Sequence, residues 1–278
     1  MLPTLANGKN MPVSLIDIAA GVPAFVRVRR KISGGYGATP RLPATVEDTY
    51  HALRILSALE QKSPPGFRQD RELVNYLSRM GETEGMDART TFHFLAACVM
   101  AGVPVDVGKA ALFIARRLDK TSDLAERYYC CRISREVQGL ANTPANARFV
   151  EPDKQFAWRD VSQLWMNIYL MSGTGGGQGP KSRSEIISWL QACQNYDGGF
   201  GFLPGTTSFI ENTYTCLRSL ALLDSAPRDL NGCRSYIVSC ETGSGGFARA
   251  NRATAFLFST WHGIAALLFL NILEKNGS

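Results

Sequence analysis

Two kinds of apolar segment alternate along the chain. In the first kind, apolar residues recur at i, i+3 and i+4 with charged residues between them, which is typical of a helix with one buried face; these segments are residues 15–31, 71–80, 108–118 and 184–194. The second kind is apolar on nearly every side, as in SQLWMNIYL around Trp165. A helix of that kind must be covered all round, so we expect the second set inside and the first set outside. Because no stretch alternates strictly between apolar and polar residues, the pattern predicts an all-α protein.

The apolar segments belong to an internal repeat. Residues 34–56 and 198–220 share a glycine pair, an aromatic residue, a proline-containing loop and a Thr-Tyr that opens an apolar helix, and residues 245–267 are a third copy with Thr-Trp. Three weaker copies keep the helix without the glycines. One aromatic residue marks each copy, which we call the key aromatic, at spacings of 36 to 49 residues: Tyr50, Phe92, Tyr128, Trp165, Tyr214 and Trp261.

Spacings of this size fit a unit of one helix, a loop and a second helix. Six such units that close on themselves predict an (α/α)6 toroid, with an inner ring and an outer ring of helices. The chain of 278 residues is then a single domain over residues 1–278, with its core at about residues 14–274.

The repeats resemble those of a known superfamily. GGFGFLPG followed by NTYTCLRSL is similar to the repeat of protein prenyltransferase β subunits, and CQNYDGGFG is similar to the Gln/aromatic repeat of squalene (terpene) cyclases, with Phe200 where those carry Trp. The resemblance covers about residues 14–274, and both families are (α/α)6 toroids. It implies an isoprenoid substrate, often a prenyl diphosphate.

Compared residue by residue, the chain does not have the zinc ligands of the transferases. The three ligand positions hold Glu211, Thr213 and Phe258, and one carboxylate does not make a zinc site. We therefore expect no resident cofactor, although Mg²⁺ could accompany a diphosphate substrate. The family's diphosphate-binding Arg-x-x-Lys is matched by Arg249 and Arg252 in the last repeat, so the resemblance implies that these two arginines receive the diphosphate.

A second motif resembles the acid of the cyclases. Residues 45–49, TVEDT, align with the cyclase DxDDT motif without its first Asp. Glu47 or Asp48 would then protonate an alkene, and His51, three or four residues further along the helix, would orient the proton donor. An Asp at a helix start is also an ordinary N-cap, and this structural role is the alternative for Asp48.

The histidines and the key aromatics each allow two interpretations. His51, His93 and His262 directly follow the key aromatic of their repeat, so ring closure would place them on three adjacent inner helices. They could bind a metal, contact a ligand or exchange protons, or they could simply pack in the interior. The key aromatics would bind a prenyl chain or a carbocation if they faced the lumen, or would be core if they faced outward; the resemblance favours the lumen.

Composition and charge exclude several classes of protein. With 45% apolar and 19% charged residues, the chain can fold around a large core. The net charge of +6 comes without a long basic block, so nucleic acid is not an expected partner. Seven cysteines without a CxxC pair indicate neither a disulfide framework nor a ribbon-type zinc site, and the first ten residues lack the order of a signal peptide, so the expected location is the cytoplasm. Residues 253–273 carry no Asp, Glu, Lys or Arg, but their polar residues favour a buried helix over a membrane span.

These observations favour an isoprenoid-processing enzyme that is prenyltransferase-like and binds a prenyl diphosphate or terpenoid in an aromatic-lined lumen. One alternative is a proton-initiated terpene cyclase that uses Asp48 or Glu47. The other is a toroid without catalytic activity that binds a lipid or a protein. The expected partners are the isoprenoid itself and either a helical protein like a transferase α subunit or a second copy of the chain.

Overall fold

The computed structural model describes residues 20–59, 64–81, 85–137, 158–172 and 182–276. These ranges contain helices and isolated bridges without a β-strand, so the predicted all-α class is confirmed. The helices are α1 (Val22–Arg27), α2 (Val46–Leu59), α3 (Pro64–Arg68), α4 (Arg71–Arg79), α5 (Ala88–Ala101), α6 (Val107–Leu118), α7 (Leu124–Glu136), α8 (Val161–Met171), α9 (Arg183–Ala192), α10 (Ile210–Leu222), α11 (Leu230–Ser239) and α12 (Leu257–Asn276).

Six of these helices form a closed inner ring. In ring order they are α2, α5, α7, α8, α10 and α12; each contacts the next, and α12 contacts α2. Each carries one key aromatic in its first half. The predicted inner ring of apolar helices is therefore confirmed, and the repeat aromatics lie at one level of it.

The outer helices cover the ring from outside. α1 packs on α2, α4 on α5, α6 on α7, α9 on α10 and α11 on α12. The amphipathic segment expected over residues 15–31 is helical over Val22–Arg27; its residues 15–19 lie outside the described ranges, and Lys31 instead bonds through its N–H to the carbonyl of Gly35 at 2.9 Å. The interval between α7 and α8, where the sixth outer helix is expected, falls mostly on residues 138–157, which also lie outside them.

The same hydrogen bond anchors the loop of each glycine-containing repeat. The Oγ1 of the threonine before the key aromatic accepts the backbone N–H of the loop aromatic, 13 residues earlier: Thr49 from Tyr36 at 3.0 Å, Thr213 from Phe200 at 3.1 Å and Thr260 from Phe247 at 3.0 Å. All three threonines are fully buried. The repeated Thr-Tyr and Thr-Trp pairs therefore combine a loop anchor with a ring on the next residue.

The first glycine of each pair has a backbone conformation that strains other residues, and it lies too close to neighbouring atoms for a side chain to fit. Gly34, Gly198 and Gly245 have φ between 85° and 100°, where other residues are strained. A Cβ on Gly198 would also lie 2.0 Å from the carbonyl oxygen of Gly232 in α11. The glycine pair thus lets the loop touch the backbone of an outer helix.

The apolar stretch near the C-terminus forms the 20-residue helix α12. It contacts α10, α11 and α2, and its side chains from Ile264 to Leu267 are fully buried. No helix in the described part of the chain is long and apolar enough to cross a membrane. The interpretation of this stretch as a helix covered by other helices is confirmed.

Candidate ligand cavity

The inner ring encloses a cavity of about 500 Å³. All six inner helices contribute to its wall, and every lining residue stands at the key aromatic position of its helix or after it. The cavity therefore occupies the half of the ring toward the C-terminal ends of the inner helices. In the described part of the chain its mouth lies at those ends, beside the partly exposed Ala58, Val99 and Met100.

Five of the six key aromatics line this cavity: Tyr50, Tyr128, Trp165, Tyr214 and Trp261. Phe92 is fully buried behind the guanidinium of Arg132, whose central carbon lies 3.8 Å from its ring centroid. The indole Nε1 of Trp165 donates a hydrogen bond to the hydroxyl of Tyr128 at 2.9 Å, which fixes two neighbouring rings. Of the two orientations considered for these residues, the structure has five facing the lumen.

Arginines follow the key aromatics into the cavity, and the sequence analysis missed them. Arg54, Arg132 and Arg218 each stand four residues after a key tyrosine, on the same helix face one turn further on. All three line the cavity. The signal is present in the sequence, because three of the six repeats have arginine at this one position.

Each of these arginines covers the key aromatic of the preceding helix in the ring. The guanidinium carbon of Arg54 lies 4.4 Å from the ring centroid of Trp261, and that of Arg218 lies 3.7 Å from Trp165; Arg132 over Phe92 is the third pair. Cations at this distance from a ring face are attracted by its quadrupole. The side chains therefore lean down toward the aromatic level instead of extending to the mouth.

Arg132 is neutralised by a carboxylate, Glu136, which also lines the cavity and whose side chain is 31% exposed. The Glu136 oxygens accept hydrogen bonds from Arg132 at 2.7 and 2.8 Å, and one also accepts from the hydroxyl of Tyr169 at 2.9 Å. Desolvation would raise the pKa of Glu136, but the charge and hydrogen bonds of Arg132 outweigh it and lower that pKa. Glu136 is therefore ionised at neutral pH. Arg135 is engaged as well, donating to the carbonyls of Tyr169 and Leu170 at the end of α8 at 2.7 and 3.1 Å.

Arg54 and Arg218 differ from these two arginines. Among the described residues no carboxylate lies within ion-pair distance of either guanidinium, and the buried Nε of Arg218 has no hydrogen-bond partner. Within those residues the hydrogen bond of Arg218 is a long one, 3.4 Å from its Nη1 to the hydroxyl of Tyr214. Within the described ranges the cavity thus contains two guanidinium groups that form no ion pair, although the charge of Arg54 also acts on Glu136 from a distance, and their donors are available to an anion.

The three histidines lie on the other side of the aromatic level from the mouth, and none lines the cavity. The ring centroids of His51 and His93 are 5.4 Å apart and those of His51 and His262 are 6.3 Å apart. Tyr50 stacks on His93 at 4.7 Å, and Phe258 packs on His262 at 4.2 Å. We call these five rings the floor, because they close the lumen below the cavity.

The floor histidines are neutral. Desolvation by burial lowers the pKa of His93 and of His262 to about 3 and that of His51 well below its ordinary value. The Nδ1 of His262 donates to the carbonyl of Phe258 at 2.7 Å, which leaves its Nε2 unprotonated. Within the described ranges no three side chains of His, Cys, Asp or Glu are arranged to hold a metal ion.

Glu47 and Asp48 lie at the start of α2, at the opposite end from the mouth, and they do not line the cavity. Thr45 caps this helix, since its Oγ1 accepts the N–H of Asp48 at 3.0 Å and donates to the Asp48 carboxylate at 2.6 Å. Asp48 is thus the first-turn partner of the cap residue and not the cap itself. Desolvation raises the pKa of Asp48, and Glu47 pairs with Arg89.

Arg249 and Arg252 are also absent from the cavity wall. Arg249 pairs with Glu211 from the preceding repeat, and its guanidinium carbon lies 3.9 Å from the ring centroid of Phe209. Arg252 is exposed, with φ at 64°. The structure therefore does not bring the pair expected to receive a diphosphate to the lumen.

Comparison with known proteins agrees with this architecture. The family model of the prenyltransferase alpha-alpha toroid domain matches residues 11–128, 146–231 and 222–277, which is most of the sequence. A search of curated proteins finds no match. The family match indicates an isoprenoid-related function for a chain whose repeats, closed inner ring and aromatic lumen all fit that domain. The chain belongs to the prenyltransferase α–α toroid family.

Proposed function

We propose that the chain binds a prenyl diphosphate in the cavity, with the diphosphate at Arg54 and Arg218 and the isoprenoid chain against the aromatic and apolar wall. The observation that carries this proposal is a pair of guanidinium groups inside the lumen of a prenyltransferase-family toroid, neither of which has an ion-pair partner among the described residues. Arg54 and Arg218 take the role that the resemblance implied for Arg249 and Arg252.

A diphosphate suits these two arginines better than a smaller anion does. Guanidinium groups bind phosphate oxygens through paired N–H donors. Arg54 and Arg218 stand on helices at opposite sides of α12, which contacts both α2 and α10. Two cations on separated helices fit an anion with two charged groups, and stacking on Trp261 and Trp165 holds both in place.

The rest of the wall suits an isoprenoid. Tyr50, Tyr214 and Phe269 present rings, and Ala96, Val99 and Met100 present apolar groups of several sizes. The volume of about 500 Å³ lies within the range of small-molecule sites. If the allylic C1–O bond breaks, the diphosphate leaves with the electron pair, and the ring faces stabilise the cation that remains.

A carrier without catalytic activity is the second candidate. Among the described residues, Glu136 is the one carboxylate that lines the cavity. It accepts hydrogen bonds from Arg132 and Tyr169. A carboxylate committed in this way is a weaker base toward an incoming acceptor. This observation favours a chain that binds a prenyl diphosphate and releases it unchanged.

The test is incubation with farnesyl and geranylgeranyl diphosphate in the presence of Mg²⁺, followed by native mass spectrometry and product analysis. Arg249→Gln, which removes an arginine outside the cavity, is the matched control for Arg218→Gln. A complex that forms with the wild type and the control but not with Arg218→Gln supports the proposal. New products indicate a transferase or cyclase, and unchanged ligand indicates a carrier. Absence of any complex with the wild type overturns the proposal.

The same spectra report the assembly state. A mass of one chain, of two chains or of the chain with a helical partner from the source cell distinguishes the arrangements that the resemblance implies. Each of these partners stays a prediction until that measurement.

A further inference from the structure

Three loops form one surface at the end of the ring where the inner helices begin, opposite the mouth. Residues 28–45, 194–209 and 241–256 each lead from the end of an outer helix to the start of an inner helix, and the inner helices that follow, α2, α10 and α12, are neighbours in the ring. The second and third loops also touch, because the N–H of Ile210 donates to the carbonyl of Arg249 at 2.9 Å. We call these three loops the loop face.

The loop face carries nearly all the large apolar side chains that are exposed in the described part of the chain. Leu112 of α6 is the exception, and the others are Val28, Ile32, Leu42, Tyr196, Phe202, Leu203 and Phe256. Single exposed apolar residues are ordinary on a protein surface, whereas their concentration on one face marks an interaction surface.

Tight turns hold two of these side chains away from the protein. The N–H of Lys31 donates to the carbonyl of Gly35 at 2.9 Å, and the equivalent bond in the second loop measures 2.8 Å. Ile32 and Tyr196 are the second residues of these two turns, and both are fully exposed. Because the turns fix the backbone that carries them, both side chains project from the loop face.

The loops of this face contain more basic than acidic residues. The basic residues are Arg29, Arg30, Lys31, Arg41, Arg249 and Arg252, and the acidic ones are Asp197 and Glu241. Arg29 is buried, and Arg30 and Arg249 each pair with a carboxylate. Arg41 and Arg252 are exposed and form no ion pair with another described residue. Two available cations therefore lie among the exposed apolar side chains.

The rest of this end of the ring is different. There the inner helices α5, α7 and α8 begin with the capping aspartates Asp87, Asp123 and Asp160. The end of the toroid is thus divided into a half that is basic and apolar, on the loop face, and a half that carries an acidic cap on each helix.

We propose that the loop face docks on an anionic lipid bilayer, with Ile32, Tyr196 and Phe256 in the headgroup region and Arg41 and Arg252 at the lipid phosphates. Apolar side chains that insert shallowly, together with cations that anionic lipids attract, bind proteins to the surface of a membrane. The apolar side chains stand on separate loops and two of them project, and a fluid headgroup region accommodates this shape without a complementary surface. The mouth of the cavity then points away from the bilayer.

Co-sedimentation of the full chain with vesicles tests the apolar part of the proposal. We expect binding to vesicles of phosphatidylcholine and phosphatidylserine, weaker binding to phosphatidylcholine alone, and a loss of binding as salt is added. The double variant Ile32→Ser/Tyr196→Ser should lower the partition coefficient by at least about tenfold. Leu112→Ser, which removes an exposed leucine elsewhere, is the matched control and should bind like the wild type. Equal losses in the two variants overturn the proposal.

The charged part has its own pair of variants. Arg41→Gln and Arg252→Gln should each lower binding to the anionic vesicles by about fivefold, whereas Lys109→Gln, which removes an exposed cation at the start of α6, should not change it. Since these side chains are exposed, the variants should fold, which circular dichroism checks. Binding that is insensitive to both arginines contradicts docking through the loop face.

A fluorescent label reports which face meets the bilayer. All seven cysteines are buried, so Ser33→Cys provides one exposed thiol for an environment-sensitive fluorophore and leaves the apolar side chains in place. We expect its emission to rise with anionic vesicles, while a label at Leu112→Cys stays unchanged. Absence of wild-type binding to anionic vesicles overturns the proposal. Self-association without lipid that Ile32→Ser/Tyr196→Ser abolishes also overturns it, because the loop face would then be a contact between two copies of the chain.

Discussion

The guanidinium carbon of Arg218 lies 3.7 Å from the ring centroid of Trp165 on the neighbouring inner helix. The same relationship joins Arg54 to Trp261 and Arg132 to Phe92. In each case an arginine one turn after its own key aromatic covers the key aromatic of the helix before it in the ring. Glu136 forms an ion pair with one of the three, and the other two have no ion-pair partner in the part of the chain that the structure describes.

The first prediction concerns the compensated arginine. Glu136→Gln removes the negative partner of Arg132, whose side chain is 15% exposed, and leaves a mostly buried cation with weaker hydrogen bonds. We expect the free energy of unfolding, measured by urea denaturation, to fall by about 1–3 kcal/mol.

Glu47→Gln is the matched control, since Glu47 and its partner Arg89 are both more than 40% exposed. Exposed pairs contribute about 0–1 kcal/mol. Equal losses in the two variants would show that the Arg132–Glu136 pair stabilises the fold no more than an exposed ion pair does.

The second prediction is a loss of stability at mildly acid pH. His51, His93 and His262 have a lowered pKa in the folded chain, against 6.5 for an ordinary histidine. Below pH 6.5 the unfolded chain therefore binds more protons than the folded chain, and stability falls as the pH drops from 6.5 toward 3. Each histidine contributes at most about 1.4 kcal/mol per pH unit.

Urea denaturation between pH 7 and pH 5 measures this slope before most carboxylates titrate. His93→Gln should make the slope shallower, because one of the three groups no longer takes up a proton on unfolding. A slope that is the same in the variant and the wild type would contradict the assignment of a neutral, buried His93.

The third prediction separates two glycines of one loop that both have positive φ. Gly198→Ala combines backbone strain with a Cβ 2.0 Å from the carbonyl oxygen of Gly232, whereas a Cβ on Gly205 meets no atom within 4 Å. We expect Gly198→Ala to cost about 2–5 kcal/mol and Gly205→Ala about 1–2 kcal/mol. Thermal or chemical denaturation of the two variants checks the difference, and similar costs would argue against the contact with α11.

The fourth prediction addresses the cyclase alternative. Because Asp48 lies away from the cavity and bonds to the cap residue Thr45, Asp48→Asn should leave prenyl diphosphate binding and any product formation unchanged. Thr45→Ala, which removes the cap, should cost about 1 kcal/mol of stability. If Asp48→Asn abolishes product formation while the fold stays intact, Asp48 is the proton donor and proton-initiated cyclisation is the correct mechanism.

The architecture could be predicted because its signals are local and repeated. Thr213 and Tyr214 are adjacent in sequence, and their two roles, loop anchor and lumen ring, recur in the copies at Thr49 and Thr260. The shared repeat position of the histidines likewise implied the proximity of His51 to His93 and His262. A repeat position fixes both the helix and the level along it, so these relationships follow from spacing alone.

The position of the cavity along the ring could not be predicted in the same way. Whether the lumen is open above or below the aromatic level depends on the summed side-chain volume of six helices, which no single repeat contains. Arg249 illustrates the same limit, because Glu211, which neutralises it, stands 38 residues away. Arg54 and Arg218 stand out only when the position four residues after each key aromatic is compared across all six repeats.

Calorimetric titration of farnesyl diphosphate tests the central claim most directly, using wild type, Arg54→Gln, Arg218→Gln and the control Arg249→Gln. The cavity account predicts that each cavity variant loses at least about tenfold in affinity, which is about 1.4 kcal/mol, while Arg249→Gln binds like the wild type. Unchanged affinity in both cavity variants, together with a loss in Arg249→Gln, would place the diphosphate at the opposite end of the ring and contradict the account.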